Sequence, residues 1–157
     1  MHARFRLLAL AVVIVCLPCW GQEPAKKELS REEQIKKLEA DLTGATLLGR
    51  FTIDGREEQS PKPEEYTISS AVKLPEGDTW IISSRIKYGN KDVTVPVPVE
   101  IKWAGDTPVI TLTNLAIPGL GTFTSRVMLY EGRYAGTWQH GKVGGLMFGT
   151  FGKAEEK

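Results

Sequence analysis

The sequence predicts an all-β domain: an antiparallel up-and-down meander of about eight strands forming a barrel, preceded by one short amphipathic helix. Three observations carry this. From Thr46 onward apolar and polar residues alternate with period two. Turn residues recur roughly every 10 to 15 positions. Almost every connection is short enough to be a hairpin, so successive strands should pair with one another.

The 157-residue length fits one domain. Residues 1–21 read as a secretory signal, with Arg4 and Arg6 in a charged head, an apolar run from Leu7 to Leu17 and a break at Pro18. Gly21, with Cys19 two positions before it, supplies the small residues that a signal peptidase requires, so the mature chain is expected to start at Gln22. The 14 residues from Leu7 to Trp20 are fewer than the roughly 20 of a membrane span. Export to the periplasm or the extracellular space is therefore the expected localisation, with membrane contact only through the signal during transit. Both cysteines, Cys16 and Cys19, fall inside this segment. The mature domain can then form no disulfide, thiolate nucleophile or cysteine metal site.

Residues 22–28 are polar and lysine-rich and read as a flexible leader. Ser30-Arg31-Glu32-Glu33 matches a capping box and should start a helix, with Ile35, Leu38 and Leu42 on one stripe. Glu32/Lys36 and Glu33/Lys37 are spaced to pair, and Gly44 is placed to end the helix. Strands are expected near 46–53, 65–74, 79–88, 91–103, 108–115, 121–130, 133–140 and 143–151. The single domain spans 29–153, followed by a charged tail at 154–157. Gly55 to Glu64 reads as an exposed polar loop.

The clearest alternation puts Trp80, Ile82, Ile86 and Tyr88 on one face, then Val93, Val95, Val97, Val99, Ile101 and Trp103 on the matching face of the next strand. Thr94, Glu100 and Lys102 oppose the valines. One apolar face on eight consecutive strands must be hidden by closing the sheet or folding it into a sandwich, and sequential hairpins favour the up-and-down barrel. Pro96 and Pro98 remove two N–H donors from one edge of the valine strand, so a seam or an incomplete closure is expected there. The same alternation also describes an outer-membrane barrel with its apolar face turned outward. The prolines, the amphipathic helix and the six residues after Phe151 argue against that type.

The signal, the short helix and the eight-stranded meander with scattered Trp and Gly together resemble the calycin-type barrels, lipocalins and avidins among them. Lipocalins carry Gly-x-Trp on their first strand. The comparable place here reads Gly49-Arg50-Phe51, and Gly136-Thr137-Trp138 sits on the seventh strand. The resemblance implies a barrel with the possibility of a cavity, and no particular ligand.

Without the signal, Arg4 and Arg6 are lost and 18 basic residues stand against 19 acidic ones. Summed over the chain, that balance leaves no electrostatic footprint for nucleic acid or an anionic membrane. His140 is the only histidine after His2 is removed, no Gly-x-Ser-x-Gly elbow accompanies it, and no ligand pair for zinc stands at useful spacing. The glycines 141–152 match no phosphate loop, and Glu57, Glu58, Glu64 and Glu65 read as solvated charge rather than a catalytic carboxylate pair. Neither an enzyme nor a cofactor is expected. The densest aromatic set is Tyr134, Trp138 and His140 on one strand face around Gly136, either a ligand wall or a core layer in which Gly136 makes room for neighbouring rings. The expected function is an exported, non-catalytic module that holds a small apolar ligand in or at the mouth of the barrel. Trp80, Tyr88, Trp103, Tyr134, Trp138 and His140 are its candidate contacts. The alternative is a structural or interaction protein with a barrel filled by its own side chains.

Overall fold

The computed structural model describes residues 28–153; the expected signal, nearly all of the leader and the charged tail lie outside them. One helix, α1 (Arg31–Leu42), precedes eight strands: β1 (Ala45–Phe51), β2 (Lys62–Lys73), β3 (Thr79–Tyr88), β4 (Lys91–Ala104), β5 (Thr107–Ile117), β6 (Gly121–Tyr130), β7 (Arg133–His140) and β8 (Val143–Lys153). Each strand pairs antiparallel with the next, and β1 pairs with β8 to close the barrel. This is the expected all-β meander, in a layout consistent with that of calycin-type barrels.

The helix starts where the capping box stands. Ser30 Oγ accepts from the Glu33 N–H at 3.3 Å, and the Glu33 carboxylate accepts from the Ser30 N–H at 2.7 Å. That bond takes up Glu33, so the expected Glu33/Lys37 pair does not form and Lys37 turns to Asp41 instead. Gly44, at φ +80°, makes the left-handed step that ends the helix, and its N–H donates to the Ile68 carbonyl as the chain enters β1.

Packing settles which face of the alternation is inside. Trp80, Ile82, Ile86, Val97, Val99 and Ile101 are buried, with Val95, Trp103 and Trp138 packed against them. Thr94, Glu100 and Lys102 are exposed. The outer faces of β3 and β4 carry ion pairs, Arg85 with Asp92 and Lys102 with Asp78 and Glu100. Such a wall is not the apolar band that an outer-membrane barrel turns to lipid.

The seam lies at the prolines, yet the barrel closes. The Ile101 N–H donates to the Asp78 carbonyl on the β3 side. Alternate residues point their N–H groups the same way, so Pro96 and Pro98 lack donors on the side toward β5. Accordingly β4 pairs with β3 from Lys91 to Glu100, but with β5 only from Glu100 to Ala104. Five register pairs at one end complete the cylinder there.

That same end is covered by α1. Beyond Thr67, β2 has outrun its pairing with β1, and its edge donors are met by the helix. Thr43 Oγ1 accepts from the Ala71 N–H at 3.1 Å, and Glu39 Oε1 accepts from the Lys73 N–H at 2.8 Å. Leu38 and Leu42 go into the core beside them. At the other end of α1, the Arg31 guanidinium lies 4.5 Å over the Trp103 ring and reaches the Gly105 carbonyl in the β4–β5 turn. The helix thus crosses the mouth with its C-terminal half packed and its N-terminus tethered.

Candidate functional site

Glu64 is the largest correction to the sequence expectation. β2 begins at Lys62, three residues earlier than expected, which makes Glu64 an inward position in step with Tyr66 and Ile68 rather than part of a solvated loop. Its side chain is buried, with 6% of its surface exposed. Glu64 Oε2 accepts from the Tyr66 hydroxyl at 2.9 Å and Oε1 from the Tyr134 hydroxyl at 2.8 Å.

Tyr134 reaches Glu64 from three strands away. In register, Tyr134 stands opposite Gly149, Gly149 opposite Gly49, and Gly49 opposite Glu64. The two glycines leave a trough along the inner wall in which the tyrosine lies flat. A Cβ on either one would run into Tyr134 and into the backbone of the neighbouring strand. Room for an aromatic ring therefore comes from Gly49 and Gly149. Gly136, the expected provider, is needed for a different reason, because a Cβ there would meet the Arg126 carbonyl of β6.

Burial pushes the Glu64 carboxyl above its ordinary pKa, and hydrogen bonds from Tyr134 and Tyr66 pull it only partly back. Tyr134 is raised too, first by burial and then by the adjacent carboxylate. No salt bridge to Glu64 forms among the described residues. Held by two hydroxyls, the carboxyl ties β2 to β7 across β1 and β8.

The space for a ligand lies outside the barrel wall proper. Between α1, which packs on β2, and the β4–β5 and β6–β7 turns lies a solvent-open cleft of about 1200 Å³. Trp103, Pro108 and Phe151 give the cleft apolar surface over the buried Leu38 and Leu129, and Lys37, Asp41, Asp106, Glu131 and Lys153 give it charged surface. Arg31 spans its entrance through the Trp103 contact. Within the barrel, by contrast, Trp80, Ile101 and Tyr134 fill the cross-section near this mouth and are almost wholly buried.

The six expected contact residues do not converge. Trp80, Trp103 and Tyr134 lie toward the α1 end, whereas Tyr88, Trp138 and His140 belong to strand segments near the opposite mouth. Only Trp103 lines the cleft. Trp80 is fully buried with its indole N–H unpartnered. Trp138 packs edge-on against Phe51 and donates to the Thr52 carbonyl. His140 is exposed at the strand end and rests on Phe123, its ring centroid 4.6 Å away. Tyr88 ends β3, with its backbone opposite Glu64 and Lys91. The face shared by Tyr134, Trp138 and His140 is a strip running the length of β7.

Sequence reasoning missed Arg31, Leu38, Leu129 and Phe151 as neighbours in one cleft. Leu38 was visible as a helix-stripe residue, and Leu129 and Phe151 sit on ordinary strand alternation. Nothing local links them. Comparison of the chain with known protein families, curated proteins and solved structures finds no match.

Proposed function

We propose that this is an exported, non-catalytic binding module that takes a small apolar ligand in the cleft between α1 and the mouth of the barrel. The observation that carries the reading is the way α1 is mounted. Its C-terminal half is fixed to β2 by Glu39, Thr43 and two buried leucines, while its N-terminal half is held over the cleft by Arg31 on Trp103. A concave site in which apolar surface lies among charged side chains can take a small ligand by its apolar part and orient it by its polar part. Its volume exceeds the few hundred Å³ that a compact ligand needs.

The filled cross-section at Trp80, Ile101 and Tyr134 supports the alternative, a structural or interaction protein with a self-filled barrel. Native mass spectrometry of protein recovered from its host compartment separates the two. A retained small molecule, reduced in occupancy by Trp103→Ala, is the expected result. A bare polypeptide mass, with no uptake of an apolar fluorescent probe sensitive to Trp103→Ala, would reject the ligand reading.

A further inference from the structure

The two sides of the barrel differ in how they treat charge. On the outward-facing positions of β2, β3 and β4 the cations are paired: Arg85 with Asp92, Lys87 with Glu65, and Lys102 with Asp78 and Glu100. The outer face of β6, β7, β8 and β1 carries an apolar patch instead. Met128, Ala135 and Phe148 stand opposite one another on β6, β7 and β8. Leu146 follows along β8, and Leu48 and Tyr130 lie one rung away toward α1. Five of these side chains, Leu48, Met128, Tyr130, Leu146 and Phe148, are between 42% and 54% exposed.

Arg50, Arg126 and Arg133 surround this patch, and none of them is ion-paired. Arg50 and Arg126 donate to main-chain carbonyls, which leaves their charge uncompensated. The connections and strand ends on this side add Asp54, Glu57, Glu58 and Glu131 against Arg56, Lys142 and Lys153, so it remains net positive. The near-neutral sum over the chain conceals this sorting.

We infer that the β6–β7–β8–β1 face docks onto the surface of an anionic lipid bilayer, with Phe148, Leu146 and Met128 dipping among the acyl chains and the three arginines meeting headgroup phosphates. Large apolar side chains within a cationic frame are the elements of interfacial binding. Guanidinium groups bind phosphate oxygens in a bidentate fashion. A second copy fits poorly, because a two-fold axis through the patch would bring the same three arginines face to face. A depression on this face, lined by Ala135, Gly136, Thr137, Leu146, Met147 and Phe148, is about 330 Å³ and shallow. A bilayer needs no shape-matched groove, whereas a folded protein partner does.

The test is co-sedimentation of the full chain with vesicles of phosphatidylcholine, alone or mixed with phosphatidylglycerol. The N-terminal apolar segment is common to all variants, so differences among them report on the face. Wild type should bind the mixed vesicles more strongly, and added salt should erase that increment. Arg133→Gln should lower partitioning into mixed vesicles about fivefold, and Phe148→Ser about tenfold. Arg85→Gln, on the opposite wall, should leave it unchanged. Unaltered denaturation midpoints show that the variants are folded. Equal binding to both vesicle types, or indifference to Arg133→Gln and Phe148→Ser, would overturn the inference. So would light scattering that shows a dimer dissolved by Phe148→Ser, which would assign the face to self-association.

Discussion

The contact between Tyr134 and Glu64 can be cut with one atom. Tyr134→Phe keeps the ring in its trough over Gly49 and Gly149 and removes only the hydroxyl, leaving Glu64 Oε1 buried without its 2.8 Å donor. A buried acceptor stripped of its partner costs about 1–3 kcal/mol, and bonds to a carboxylate lie in the upper part of that range, so about 2 kcal/mol is expected. For a domain of this size each kcal/mol lowers Tm by about 4 °C, giving a fall of about 8 °C by calorimetry. The decisive measurement is a double-mutant cycle. Glu64→Leu orphans the Tyr134 hydroxyl, and in that background Tyr134→Phe removes the orphan. It should then cost nothing or even stabilise, a coupling of at least about 1 kcal/mol. Additive effects, or a neutral Tyr134→Phe in the wild type, would refute the crosslink.

Three further outcomes are expected. Because Glu64 is raised in the folded state, its contribution is full below the ordinary carboxylate pKa, where both states hold the proton, and is lost as pH rises through the raised value. The wild-type minus Glu64→Gln difference in stability should fall over that window, and a flat difference would show that the carboxyl is not perturbed; the exposed Glu33, Glu57, Asp78 and Asp92, all lowered, act oppositely but equally in both proteins. Val97→Asp places an unpaired carboxylate among buried residues and should cost several kcal/mol, against about 1 kcal/mol for Lys102→Asp, which breaks exposed ion pairs to Asp78 and Glu100, with denaturation midpoints deciding. On β8, Gly149→Ala should destabilise by more than about 1 kcal/mol, because its Cβ meets Leu48, Gly49 and Tyr134, while Gly152→Ala, with nothing within 4 Å, should be tolerated; equal midpoints would remove the trough.

The sequence by itself determined the strand count, the meander order, the inward face of β3 and β4, the capped helix and the seam at Pro96 and Pro98. All of these rest on information confined to a few neighbouring residues: a period of two, a Ser and a Glu three apart, or a missing N–H on a strand whose direction of alternation is known. The start of β2 is the exception: Pro61 and Pro63 carry a loop signal, yet Glu64 keeps the step of two to Tyr66 and Ile68 and belongs to the strand.

Only the tertiary structure decided what depends on how the ends of the sheet meet. Tyr134 and Glu64 are 70 residues apart and become partners because β1 pairs with β8 and places two glycines between them. Arg31 and Trp103 come together because β2 outruns β1 and draws the helix over the mouth. Six scattered aromatic residues looked like one site in a list of strand faces, yet a barrel has two ends, and face alternation does not record which end a residue occupies. The same holds for charge. A sum near zero is fixed by composition, but its division into a paired wall and an unpaired, apolar one is set by which strands become neighbours when the cylinder closes.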